Sequence, residues 1–129
     1  MEFNIKEGIQ NTKEIKVTEN DTAIKMGSGD LEVYATPSMV ALMENAAKNS
    51  VSKVLPEGYT TVGIDISVKH IKSSPVGASI KCTATLIKVD RKKLFFDIEA
   101  SDEKGIIGKA THIRYIVNSN EFMEKTRCN

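Results

Sequence analysis

The alternation of apolar and polar residues changes rhythm along this chain, and each change marks an element. Asn11 to Thr18 alternates weakly, with Ile15 and Val17 in phase, and reads as a first strand. Asn20-Asp21 reads as a turn, Thr22 to Lys25 as a second short extended piece, and the two glycines between Met26 and Asp30 break the pattern. From Pro37 to about Val54 the period becomes helical. Val40, Met43, Ala47, Ser50, Val51 and Val54 share one face, widened by Met39 and Ala46, while Asn45, Lys48, Asn49 and Ser52 fall opposite. Thr36 fits the N-cap and Pro37 the first helical position, where a missing N–H costs nothing. Leu55-Pro56-Glu57-Gly58 ends the helix.

Thr60 to Ile71 then alternates with a period of two, placing Val62, Ile64, Ile66 and Val68 on one face, with His70 continuing their phase. A turn at Ser73 to Gly77 leads into Ser79 to Val89, with Ile80, Cys82, Ala84 and Leu86 inward. After Asp90 to Lys93 the next strand has Leu94, Phe96, Ile98 and Ala100 in phase, and Asp102 to Gly105 turns into Ile106 to Val117. That last strand mixes apolar residues on both faces, as a strand covered on both sides would. A short tail at Ser119 to Lys125 has helical character. The order of strand, helix and four-strand meander is an α+β pattern; an antiparallel sheet wrapped around one long central helix is the hotdog arrangement.

The length of 129 residues suits one domain, 1–129, with one core. With 18 basic and 17 acidic side chains the net charge is +1, so no broad field exists to grip nucleic acid or an anionic membrane. No apolar run approaches the ~20 residues of a membrane helix and no signal-peptide pattern opens the chain, which predicts a cytoplasmic protein. Cys82 lies in a strand pattern and Cys128 in the polar tail; their spacing predicts neither a disulfide framework nor a metal site.

Candidate chemistry concentrates in Thr36, Glu44 and His70. A hydroxyl, a carboxylate and an imidazole are the parts of an acyl-transfer site if the fold gathers them. Each also has an ordinary explanation: Thr36 as a cap, Glu44 as a solvated helix carboxylate, His70 as a hydrogen-bonded strand-end residue. Glu44 falls at the border of the apolar face, where partial dehydration would make it a stronger base toward water. The strand phase aims His70 at the helix side, where a carboxylate partner would fix its tautomer, so the pattern points to a Glu44–His70 pair. Thr36 and Glu44 lie about 12 Å apart along the helix axis at ~1.5 Å per residue, so they cannot touch directly. Either His70 or substrate lies between them, or a partner subunit completes the site. His112 and Arg114 share a face of the last strand with Ala110; His112 reads as structural, and Arg114 as either a solvated residue or a binding one. Arg91-Lys92-Lys93 reads as a charged hairpin tip that could meet phosphates, with Lys69 and Lys72 as comparable candidates.

The segment VYATPSMVALME, followed by Gly63, by VKHIKSSPVG and by ATHIRYIV, resembles the hotdog thioesterases related to fluoroacetyl-coenzyme A thioesterase. The likeness runs from about Lys13 to Lys125. It implies that Thr36, Glu44 and His70 are catalytic and that Gly63 and Arg114 bind substrate. It also implies a small-molecule acyl-coenzyme A substrate, coenzyme A entering only as part of that substrate with no separate cofactor, and a homodimer. The fluoro-selective member is known for phenylalanines that gate its acyl pocket, and Lys25 to Leu31 contains no aromatic residue, so fluoroacetyl selectivity does not carry over. The expected reaction is thioester hydrolysis, with Glu44 as base or nucleophile and the Gly63 N–H as a donor to the thioester oxygen. The alternatives are a hotdog hydratase or dehydratase, and a non-catalytic acyl-coenzyme A or small-ligand binding protein.

Overall fold

Alternation of period two over four successive segments folds as expected, into an antiparallel sheet, and the helical segment lies across it. The computed structural model describes residues 3–128. The strands are β1 (Gln10–Lys16), β2 (Tyr59–His70), β3 (Ser79–Asp90), β4 (Lys93–Asp102) and β5 (Gly105–Asn118). They form one five-stranded antiparallel sheet in the order β1-β3-β4-β5-β2. Among the described residues three α-helices accompany them, α1 (Ala23–Met26), α2 (Thr36–Ser52) and α3 (Ser119–Cys128), with a 3-10 turn at Glu19–Asp21. The long helix α2 covers one sheet face, which is the hotdog arrangement.

The core is the layer between α2 and the sheet. Met39, Leu42, Met43, Ala46, Ala47 and Val51 are its buried helix residues. Facing them are Ile80, Cys82, Ala84 and Leu86 from β3 and Leu94, Phe96, Ile98 and Ala100 from β4, all buried and all in the phase expected. Within this layer the small Ala46 and Ala47 follow the larger Met39 and Met43 along the helix, and all four are fully buried.

Several expectations fail for local reasons. Ala35, not Thr36, is the N-cap, and Thr36 and Pro37 occupy the first two helical positions with no side-chain cap. The helix stops at Ser52, which leaves Val54 exposed, and Leu42 joins the buried face instead. Thr22 to Lys25 is not extended. Thr22 caps the single turn of α1 by accepting a hydrogen bond from the Lys25 N–H, and Gly27 closes it in the left-handed conformation at φ 74°. The outer face of β5 is only half-covered: Ile113, Tyr115 and Val117 are partly exposed there, while the inward phase carries Ala110, His112, Arg114 and Ile116.

One irregularity positions the site. The pairing of β2 with β5 slips between Gly63 and Asp65, so that Gly63 lies opposite Arg114, Asp65 opposite Ile113 and Ile66 opposite His112. Two residues, Ile64 and Asp65, oppose one, which is a β-bulge. The bulge reverses the side-chain phase. Thr61 and Gly63 face the helix before it, Ile66, Val68 and His70 face the helix after it, and Ile64, expected inward, is 51% exposed. Gly63 and His70, an odd number of residues apart, thereby share a face that strict alternation would deny them.

Candidate active site

Thr36 is fixed by the chain that leads into α2. The Tyr34 N–H donates to the Ser74 carbonyl at 2.8 Å, which ties the helix entry to the β2–β3 connection, and the Ala35 N–H donates to the Asp21 carbonyl at 2.9 Å, which ties it to the turn before α1. Since Thr36 is not needed as a cap, its hydroxyl is available, and its Oγ1 lies 2.8 Å from His70 Nδ1. His70 ends β2, and the Ile71 N–H bonds to the Ile107 carbonyl at 2.7 Å, anchoring the strand end. The Tyr34 ring meets the imidazole edge-on at 6.5 Å between centroids. Burial pushes the His70 pKa below its usual value, opposed by a main-chain contact from Lys72, so the ring is neutral near pH 7. Its Nε2 is buried and has no hydrogen-bond partner among the described residues. A cavity of about 290 Å³ opens beside the two side chains, lined also by Ala23, Ser28, Val33 and Lys72.

Glu44 lies two turns further along α2 and meets different neighbours. Its Oε2 is 3.9 Å from Arg114 Nη1, and its side chain is 40% exposed while that of Arg114 is 8% exposed. Arg114 is held from the other side by Thr61: its Nε donates to Thr61 Oγ1 at 2.7 Å and its Nη2 to the Thr61 carbonyl at 2.9 Å. Burial lowers the guanidinium pKa and the Glu44 carboxylate opposes that change. Gly63 sits in the middle. A Cβ on Gly63 would lie 2.9 Å from Glu44 Oε2, 3.2 Å from His112 Cε1 and 3.3 Å from Arg114 Nη1, so glycine is what lets carboxylate, imidazole and guanidinium converge.

The five residues singled out in the sequence therefore fall into two groups. Thr36 and His70 form one, and Glu44, Gly63 and Arg114 the other. The expected Glu44–His70 pair is not formed within the chain: His70 bonds Thr36, and Glu44 faces Arg114. His112, read from the sequence as structural, belongs to the second group, as does Thr61, which the sequence reading passed over. The signal for His112 was the inward phase of β5, where a histidine and an arginine occupy positions that apolar residues fill in β3 and β4; Thr61 lies before the β2 bulge, out of phase with the residues expected inward, and had no such signal.

The basic candidates separate likewise. Arg91 and Lys92 turn between β3 and β4 at the sheet end marked by the Lys93–Tyr115 pairing, whereas His70 pairs with Gly108. Tyr115 lies seven steps along β5 from Gly108, roughly 23 Å at ~3.3 Å per residue. Lys69 faces a groove of about 710 Å³ on the outer sheet face, among Ser67, Thr83, Asp97, Glu99 and Thr111, away from every candidate residue. Lys72 borders the Thr36–His70 cavity and pairs with Asp102 at 3.1 Å.

The model of the fluoroacetyl-CoA-specific thioesterase family matches residues 17–120 of the chain. The chain belongs to this family. It is 34% identical over 96 residues to the fluoroacetyl-CoA thioesterase of Streptantibioticus cattleyicolor, covering 74% of this chain and 69% of that protein. A solved structure of the fluoroacetyl-CoA thioesterase FlK superimposes with a TM-score of 0.92 at 28% identity, covering 98% of both chains. A variant of that enzyme in complex with fluoroacetate and CoA gives a TM-score of 0.84 at 28% identity over 92% of this chain and 99% of the other. The matched region spans both groups of candidate residues and the β2 bulge between them. As a family member the chain has its long helix and sheet placed as in these thioesterases. No helix among the described residues is long and apolar enough to cross a membrane.

Proposed function

We propose that this protein is an acyl-coenzyme A thioesterase that hydrolyses a small acyl group, with Thr36, Glu44 and His70 as its catalytic residues. The observation that carries the reading is the 2.8 Å contact between Thr36 Oγ1 and His70 Nδ1 at the first turn of α2. No side chain caps that helix, so its free N–H groups and the positive end of its dipole face the cavity, where an oxyanion would develop. The thioester carbonyl sits there, its oxygen toward these donors, and Glu44 and the Gly63 N–H, which lie apart from this cavity within one chain, reach it only across the interface of a dimer. Glu44 takes a proton from water as the oxygen of that water bonds to the carbonyl carbon. The tetrahedral intermediate then collapses, the carbon–sulfur bond breaks, and the thiolate leaves with a proton returned from the carboxyl. A thiol of pKa ~8.5 is a good leaving group, so little acid assistance is required. Coenzyme A enters as part of the substrate, and Arg114 and Gly63 shape the binding surface near Glu44.

The protein acts as a homodimer. The sheet's terminal strand β2 bonds on one side only, to β5, and the 12-residue strand carries the exposed Ile64. A long unprotected edge is a template for pairing with another chain. Pairing there gives Glu44 and His70, separate within one chain, a route into a shared site. The acyl preference is for short aliphatic groups, supported by the modest cavity of about 290 Å³ and by exposed Ile24, Met26 and Leu31 nearby, with no aromatic residue from Lys25 to Leu31. The location is cytoplasmic, supported by the two free cysteines, Cys82 and Cys128.

A panel of acetyl-, fluoroacetyl-, branched, aromatic and long-chain acyl-coenzyme A thioesters with a free-thiol readout tests the reading. Release is expected with the short aliphatic members. Absence of release from every member would leave a binding protein instead, and a monomer in analytical ultracentrifugation would remove the shared site.

A further inference from the structure

His112 has no role in the hydrolysis just described, yet it is 2% exposed, polar and connected to both neighbours of Glu44. Its Nδ1 is 2.7 Å from the Asp65 carbonyl oxygen, and its Nε2 is 3.2 Å from Arg114 Nη1. A carbonyl only accepts, so Nδ1 carries the proton. In the neutral ring Nε2 then holds the lone pair, and Arg114 donates to it. Phe96 on β4 and Ile66 on β2 pair with His112 on either side, with the Phe96 ring 6.2 Å from the imidazole between centroids. Three bonds consequently hold the guanidinium: two to Thr61, through the side-chain oxygen and the carbonyl, and one to His112. Only Nη1 faces Glu44.

Asp65 lies at the bulge, where two residues of β2 oppose one of β5 and the ladder is locally disrupted, and its carbonyl meets His112. The same irregularity that turns His70 toward the helix thus fixes the tautomer of His112.

We infer that His112, together with Thr61, is a positioning residue for hydrolysis: it locks the Arg114 guanidinium, and Arg114 holds the Glu44 carboxylate over Gly63. The inference rests on the catalytic role given to Glu44 above. Neutral His112 is essential to it, since a second ring proton would point at Nη1–H. Burial and the Arg114 charge depress the His112 pKa against the pull of the Asp65 carbonyl and of the Glu44 and Asp65 charges, and the net shift is downward, toward the neutral ring.

The test compares His112→Leu, His112→Gln and Thr61→Val, each alone and combined with Glu44→Gln, on the acyl-coenzyme A that the intact protein cleaves fastest. His112→Leu removes the acceptor for Nη1, and kcat should fall about ten- to hundredfold, the size of a hydrogen bond to a charged group, with KM changed less than about threefold. His112→Gln can offer an oxygen to Nη1 and should recover most of that loss. In the Glu44→Gln background His112→Leu should cost nothing further, because the group it positions is gone. The inference is overturned if His112→Leu keeps wild-type kcat, if Gln is no better than Leu, or if the loss is equally large without Glu44. Near wild-type turnover by Glu44→Gln alone would overturn the role of Glu44 itself, and this inference with it. Thermal melts accompany each variant; if His112→Leu does not fold, Thr61→Val carries the same comparison with a near-isosteric change.

Discussion

The two halves of the candidate site use opposite physical strategies. At the entry to α2, Thr36 and His70 are uncharged and partly accessible, joined by one hydrogen bond, and they border a cavity. In the middle of β2, Glu44, Arg114, His112 and Thr61 form a charged, largely buried network in which the guanidinium is held at three of its nitrogens. The first arrangement leaves His70 Nε2 without a partner among the described residues, so it has capacity for a new contact. The second has most of its donors satisfied and little freedom to move. The contrast teaches that open hydrogen-bonding capacity and a fixed charge network are divided between two places along one helix, and that Glu44, two turns from Thr36, meets a guanidinium held by strand residues.

The sharpest way to break that division is to remove one member from each side. Glu44→Gln and His70→Ala are each expected to reduce kcat by roughly 10²- to 10⁴-fold, the range for loss of a positioned acid or base. Thiol release at near wild-type rate in either variant would show that its half of the site is structural. Thr36 comes next. Thr36→Val should cost about ten- to hundredfold in kcat while Thr36→Ser keeps most activity, because only the hydroxyl that meets His70 matters and no cap is lost. Equal losses in Ser and Val would implicate the methyl group as well as the hydroxyl.

Gly108 sharpens the comparison through stability. A Cβ there would lie 2.6 Å from Met39 Cε, 2.7 Å from Met39 Sδ and 3.1 Å from the Lys69 carbonyl oxygen. Met39 is fully buried and Gly108 pairs with His70, so this glycine sets how closely α2 sits on the His70 end of the sheet. Gly108→Ala should destabilise by about 1–3 kcal/mol in chemical denaturation, as overpacking does. Gly63→Ala meets the flexible end of Glu44 instead, so a smaller stability loss accompanied by a fall in kcat is expected there. The reverse order of stabilities would contradict the packing described.

The smallest expected effects are those of pH. Both histidines titrate below the ordinary 6.5 because burial disfavours their charged forms. The unfolded chain takes up those protons at higher pH than the fold does. Stability is therefore full above about 6.5 and declines as pH falls from there toward the depressed native values. The acid limb of kcat/KM should likewise lie below 6.5 and vanish in no variant that keeps His70. An acid limb above that value would mean that His70 gains a charged partner in the working enzyme.

Much of this fold was legible from local pattern. The period-two runs in β3 and β4 gave the right inward residues, since both strands lie inside the sheet and pack one face on α2. The helical period located α2 within a few residues, although Ala35 rather than Thr36 caps it. The short segment after Asp21 misled because four residues carry no reliable period, and capping by Thr22 decided for a helical turn. The reactive side chains were also visible as types, because polar residues at Thr36, Glu44, His70 and Arg114 interrupt or border apolar phases.

Which of them meet was settled elsewhere. The Thr36–His70 contact joins residues 34 apart in sequence and the Arg114–Thr61 contact residues 53 apart, distances over which no local propensity acts. Both depend on the register of β2 against β5. Alternation along β2 alone predicts Ile64 inward and Gly63 outward, and the bulge inverts that prediction at one point in the pairing. The chain by itself determined an antiparallel sheet under one amphipathic helix, since burial periodicity is a property of each strand. The tertiary structure alone decided that Glu44 faces Arg114 and His70 faces Thr36, since a bulge exists only relative to the strand beside it.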